Sequence, residues 1–189
     1  MHARRELSYA DLEAATLPDG PTPELIDGQL CWKASPRASH AYVQGTIVQE
    51  LRGLSLASGG GWWILIEPDV IFAEDTVLRP DLAGWRIERL PELPDGPVRV
   101  GPDWVCEILS PGHERYDRIT KLERYARYGV PFAWIASPEL RTVEAYRLQD
   151  GLWVRLGAWT DGNVLEIPPF EGLEVVVGRL FVPPVVHEP

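Results

Sequence analysis

The chain has 189 residues, 45% apolar and 24% charged, values of a soluble globular protein long enough to bury a sizeable core. A net charge of -10 argues against a surface that grips nucleic acid everywhere, because phosphate binding needs clustered Lys and Arg; a local basic groove is still compatible with it. No run approaches the ~18 uninterrupted apolar residues of a membrane span, the N-terminus lacks the apolar segment of a signal peptide, and Cys31 and Cys106 lie far apart with no zinc spacing, so a cytoplasmic protein with free thiols is expected.

Residues 8–16 predict a short helix with Ser8 as N-cap and Asp11 three residues on. The stretch ELIDGQLCW (24–32) predicts a hairpin turning at Asp27-Gly28. Residues 39–56 predict a helix capped by Ser39 and ended by the glycines at 59–61, with His40, Gln44, Ile47 and Leu51 on one stripe. WWILIEPDVIF (62–72) and VLRPDLAGW (77–85) are β-rich runs separated by an acidic turn, followed by a Pro-rich loop at 88–97. VRVGPDWVCEIL (98–109) predicts a strand, and 114–128 a helix ended at Gly129 with Pro131 beyond. FAWIAS (132–137) predicts a buried strand and 143–156 a hairpin turning at Asp150-Gly151; 164–182 holds one or two strands more. The order suggests a mixed α/β sheet in one domain spanning 1–189, with its core over about 20–160.

Two carboxylates stand out against this pattern. Glu107 interrupts the apolar run Trp104, Val105, Cys106, Ile108, Leu109, where an unpartnered charge would cost several kcal/mol. Asp81 follows Pro80 at the start of the preceding apolar strand, and two adjacent strands can bring such side chains ~5 Å apart on one face. Close carboxylates repel unless a cation sits between them, and Mg²⁺ takes such oxygen ligands. Lys121 is one of only two lysines, against sixteen arginines. Asp117, Lys121, Tyr125 and Tyr128 share one side of its helix, while Ile119, Leu122 and Ala126 mark the more apolar side, which puts Lys121 toward the edge of the packed face. The stripe of the first long helix aims His40 at the same sheet, and Glu24, in the hairpin just before, could add an acidic group.

Taken singly, these residues have plainer readings. Pro-Asp occurs five times in the chain, with Asp69 of Pro68-Asp69 read as a hairpin residue. Glu107 could pair with an arginine such as Arg86. Lys121 could be a solvated helix residue paired with Asp117. His40 could be a core or capping histidine. Arg115, Arg118, Arg124 and Arg127 suit either phosphate tracking or a solvated face, and the eight tryptophans suit the core.

In combination, RPDLAGW, PDWVCEILSP, the D-x-x-x-K-x-x-x-Y of Asp117, Lys121 and Tyr125, and GVPFAWI, with PELIDGQL and SPRASH upstream, resemble the Uma-type "putative restriction endonuclease" family, a branch of the PD-(D/E)XK nuclease superfamily. The resemblance runs over roughly residues 8–180. It implies a restriction-endonuclease-like αβββαβ core of the α/β (α+β) class, with a mixed central sheet and added hairpins. It further implies Asp81 and Glu107 as metal ligands and Lys121 as the catalytic lysine, with Glu24, His40, Asp117 and Tyr125 in or near the site. The superfamily lysine normally sits two residues after the glutamate; here that position is Leu109, and Lys121 on the helix takes its place.

The expected function is therefore a Mg²⁺- or Mn²⁺-dependent endonuclease acting on DNA, in which Lys121 orients or deprotonates a water and stabilises developing phosphorane charge. A homodimer would suit cutting of both strands, though no residue requires it. The rival expectation is a nuclease-fold protein that does not cut and serves as a DNA-binding or protein-interaction module.

Overall fold

A computed structural model describes residues 7–16, 22–32, 37–55, 59–112, 114–166, 168–170 and 172–184. Lys33, and the first two residues of the SPRASH stretch, lie outside these.

Helix α1 (Tyr9–Ala15) starts at Ser8, whose backbone N–H and hydroxyl both donate to Asp11 at 2.9 Å. Strands β1 (Pro23–Ile26) and β2 (Gln29–Trp32) pair antiparallel around Asp27 (φ 47°) and Gly28 (φ 71°); two consecutive positive φ values are what a type I′ turn needs and why Asp-Gly stands there. Helix α2 (Ala38–Glu50) is capped two residues earlier than the sequence predicted. The carbonyl of Arg37 already accepts from Ala41 N–H, so Arg37 is the N-cap and Ser39 lies inside the first turn. A short 3₁₀ turn, Leu51–Leu54, ends this helix before the glycines.

The two β-rich runs each break in two. β3 (Trp62–Ile66) and β4 (Val70–Ala73) are separated by Pro68, β5 (Thr76–Leu78) and β6 (Leu82–Arg86) by Pro80. Proline cannot donate to a ladder, and at each break the chain changes sheet. The turn at Asp69 is therefore a crossing between sheets rather than a hairpin, and Asp69 is tied to Arg79 at 2.7 Å. The run from Val98 contributes only β7 (Trp104–Ile108) to the central sheet, because Val98 bridges β4 instead and Asp103 turns the chain between them.

After β7 comes a π-helical stretch, Tyr116–Lys121, that continues into α3 (Leu122–Arg127). β8 (Phe132–Ser137) matches the predicted strand. β9 (Thr142–Gln149) and β10 (Leu152–Thr160) form the second Asp-Gly hairpin, and β11 (Val164–Leu165) pairs with β12 (Val175–Val176).

The central sheet runs β10-β9-β8-β7-β6-β3, parallel only between β7 and β8. A smaller sheet runs β2-β1-β5-β4. Read as α2-β3-β6-β7-α3-β8, the core has the αβββαβ order. Strand alternation sorts β7 between two apolar layers. Trp104, Cys106 and Ile108 pack with Val43 and Ile47 of α2, with Leu51 of the 3₁₀ turn after it, and with Phe170 and Phe181. Val105 and Leu109 pack with Leu122 and Tyr125 of the other helix and with Ile26, Val70 and Leu78 of the small sheet. Glu107 shares the parity of this second layer, so the pleat alone aims it at α3 and the small sheet. Trp62, Trp85, Trp104 and Trp134 are buried in these layers, whereas Trp32 is exposed.

Both cysteines are free. Burial, then the nearby Asp81 and Glu107, push the fully buried Cys106 thiol well above its ordinary range; half-buried Cys31 is raised first by burial, then by Glu24. A thiol reagent near neutral pH should therefore titrate Cys31 alone, slowly, in the native protein, and Cys106 only after unfolding in urea. Equal native rates at both would mean that β7 is not packed as described.

Candidate active site at a buried lysine

Lys121 is the centre of the polar cluster, with no exposed surface. Its Nζ lies 2.7 Å from Glu107 Oε1, 3.1 Å from Glu24 Oε1 and 3.0 Å from the carbonyl oxygen of Arg79. Three acceptors meet the three hydrogens of an ammonium. Each carboxylate has further donors. Tyr125 OH donates to Glu107 Oε1 at 2.6 Å, Tyr116 OH to Glu24 Oε2 at 2.7 Å, and Arg79 N–H to Glu24 Oε1 at 2.6 Å. Burial, and then the Glu107 charge, raise the Tyr125 phenol well above its usual range; burial and Glu24 do the same to Tyr116. Both phenols therefore stay protonated donors.

The helix reaches this point through its π-helical turn. Leu122 N–H bonds back five residues to Asp117 O, and the wider turn re-phases the side chains. Asp117, Lys121 and Tyr125 are all buried, whereas Ile119 is turned to solvent at 56% exposure. Two sequence expectations are corrected here: Lys121 is inside the packed face, not at its edge, and Ile119 is not part of that face. The plainer readings of Glu107 and Lys121 also fall. Arg86 lies over the Trp62 ring, 4.6 Å from its centroid, while Glu107 pairs with the buried lysine.

Asp81 stands one residue before β6. Continuing the register of Leu82 against Cys106 puts Asp81 across from Glu107. Its Oδ2 accepts from Ile108 N–H at 2.7 Å, and its Oδ1 lies 3.5 Å from Nε2 of His40. His40 is buried, its Nδ1 3.2 Å from Ser110 Oγ. On the same side, Gln44 Nε2 donates to the Asp81 carbonyl at 2.9 Å and to Glu67 Oε1 at 3.3 Å, and Glu67 N–H donates to the Asp81 carbonyl.

All seven predicted residues are thus buried at this end of the central sheet. Glu24, Glu107, Lys121 and Tyr125 form one bonded group; His40 and Asp81 meet beside it. Asp117 is buried on the same helix face as Lys121. The sequence reading missed Tyr116, Ser110 and Glu67. Gln44, a polar residue on an otherwise apolar stripe, carried a signal that went unused.

A divalent cation fits the His40, Glu67 and Asp81 side of this donor set. Asp81 and Glu107 offer hard oxygens on neighbouring strands, and one atom of each of His40, Glu67 and Asp81 lie within 4.8 Å of one another. Buried His40 Nε2 makes no hydrogen bond among the described residues.

A family model described as "Putative restriction endonuclease" (Uma2) matches residues 8–178. Among solved structures, the chain is similar to the crystal structure of a "putative nuclease belonging to DUF820" from Anabaena variabilis. That likeness has a TM-score of 0.74 at 22% identity and covers 93% of this chain and 97% of the other. A search of curated proteins finds no match.

Removing one member of a buried ion pair strands the others, at a cost of ~3–5 kcal/mol. Lys121→Met should lower the urea unfolding free energy by about that much, and Tyr125→Phe by ~1–3 kcal/mol for one lost bond to a buried carboxylate. A Lys121→Met chain within ~0.5 kcal/mol of the native one would contradict a buried ammonium between two carboxylates.

Proposed function

We propose, from the premise that this chain belongs to the Uma2 family of restriction-endonuclease-like proteins, that it is a metal-dependent endonuclease hydrolysing DNA phosphodiester bonds. The observation that carries this reading is the fully buried Lys121 held against Glu107 and Glu24, with Asp81 across the strand pair from Glu107. A protein interior tolerates such a charge cluster only at a cost, and active sites are where that cost recurs.

In this reading Asp81 and Glu107 hold Mg²⁺ or Mn²⁺. Bound there, the ion would supply Lewis acidity toward a phosphodiester oxygen and lower the pKa of a water. The chain's own groups do the positioning. Ile108 N–H fixes one oxygen of Asp81, and Tyr125 and Lys121 fix Oε1 of Glu107, so neither carboxylate has to reorganise when substrate arrives. Of the two roles expected for Lys121, the geometry favours the electrostatic one. Its ammonium already meets three acceptors, so donating to water would require giving one up, and an ammonium has no lone pair with which to take a proton, whereas its charge acts on developing phosphorane charge from where it stands. A homodimer would place two such sites for two strands, and one domain over 1–189 with its core over about 20–160 is part of the same proposal.

One observation favours the second reading, a nuclease-fold binding or interaction module. Three of the arginines that could track phosphates are committed to carboxylates: Arg118 to Glu144, and Arg124 and Arg127 to Asp27.

The discriminating experiment is plasmid cleavage with Mg²⁺ or Mn²⁺ by the native chain, Asp81→Asn and Glu107→Gln, each shown by circular dichroism to be folded at the assay temperature. The expected result is cutting that EDTA abolishes and that either substitution reduces by ~10²-fold or more, the scale on which removing one transition-state contact acts. Equal residual cutting in all three would identify a contaminant, and no cutting on plasmid, single-stranded or branched DNA would move the assignment to the binding module.

A further inference from the structure

Beside Asp81, Glu67 stands in an unusual backbone conformation. It has φ 47° without being glycine, a backbone state that costs ~1–3 kcal/mol and that persists only where its surroundings enforce it. Here they do. Glu67 N–H is held by the Asp81 carbonyl, and Gln44 clamps that same carbonyl and Glu67 Oε1 together. The effect is to turn an exposed carboxylate inward over Asp81 and His40. His40 provides an independent observation. Its side chain is 8% exposed, its Nδ1 meets Ser110, and its Nε2, with no hydrogen bond among the described residues, points at Asp81 Oδ1 from 3.5 Å.

We propose that His40 Nε2, Asp81 and Glu67 are ligands of one divalent transition-metal ion, Mn²⁺ being the fitting probe, and that Glu67 is the ligand that closes the site. The proposal rests on the metal-dependent reading above and extends its ligand set beyond Asp81 and Glu107. Nitrogen and carboxylate donors bind such ions at ~2.0–2.2 Å, so donors sharing an ion lie within ~4.4 Å of each other. The three atoms here lie within 4.8 Å, and a shift of roughly half an ångström by the exposed Glu67 would bring them into range. The 3.2 Å contact of Nδ1 with Ser110 Oγ suits the Nδ1–H tautomer, in which Nε2 presents its lone pair, the usual arrangement of a metal-binding imidazole supported from behind. An imidazole in the set favours Mn²⁺ or a later first-row ion over Mg²⁺, which prefers oxygen alone. Glu67 is solvent-facing while the other two are buried, so the ion's path in passes the one ligand able to move.

The test is Mn²⁺ binding by the full chain, followed by electron paramagnetic resonance, with pulsed detection of ¹⁴N coupling. Native protein should bind Mn²⁺ with a ¹⁴N modulation. His40→Gln should remove that modulation, and Glu67→Gln should weaken Mn²⁺ binding by ~10-fold or more with the melting curve of the metal-free chain unchanged. Glu107→Gln should keep the ¹⁴N signal. Bound Mn²⁺ with no ¹⁴N coupling, or binding unaffected by Glu67→Gln, would overturn this ligand set while leaving a carboxylate-held metal intact. Absence of any bound Mn²⁺ would remove both this inference and the metal-dependent reading beneath it.

Discussion

The structure depends on one ammonium. Lys121 Nζ joins four segments: the π-helical turn before α3 by its own backbone, β7 through Glu107, β1 through Glu24, and the crossing between β5 and β6 through the Arg79 carbonyl. Taking three charges out of water costs several kcal/mol each, and Coulomb attraction alone does not recover it. What offsets that cost is further hydrogen bonding to the two carboxylates, with Tyr125 donating to Glu107 and Tyr116 and Arg79 N–H donating to Glu24. The same bonds dock the small sheet onto the central one, since Glu24 is its polar anchor amid Leu25, Ile26 and Leu78.

Asp81 divides the region in two. Toward α3 lie the lysine and its carboxylates; toward α2 lie His40, Gln44 and Glu67. The backbone around it is shaped by Pro80, which ends β5, frees the chain to cross sheets, and removes an N–H that this buried stretch would otherwise have to satisfy. Pro68 performs the same break between β3 and β4, one residue after the strained Glu67. The two prolines thus set the positions from which both sides of the site are assembled.

Much of this was legible in the sequence, for local reasons. The Asp-Gly turns need positive φ twice over, and few residue pairs provide it. Glu107 announced itself as a charge in an apolar strand, and Lys121 as a lysine in a chain that otherwise chooses arginine. What was not legible depends on phase and crossing. A π-helical turn leaves no mark in composition, so regular helical spacing put Ile119 inward and Lys121 at the edge, and the helix did the reverse. Glu67 was invisible because its role comes from a backbone conformation rather than a residue pattern. Pro68 and Pro80 were read as motifs or turns when they were also sheet boundaries. Asp103, from another Pro-Asp pair, is a structural carboxylate that accepts from Arg86 N–H and pairs with Arg89, which is why the dipeptide alone discriminates so poorly.

The charge of the site bears on how a nucleic acid could approach it. Glu24, Glu67, Asp81, Glu107 and Asp117 gather around one lysine and one histidine, and the nearby arginines Arg118, Arg124 and Arg127 already face carboxylates. Such a cluster attracts a dication and repels a phosphate. On the proposed function, the cation is then more than a source of Lewis acidity: it reverses the sign of the field that the phosphodiester meets. The acidic balance of the chain, which at first argues against nucleic acid, becomes compatible with it once the cation is counted as part of the binding surface.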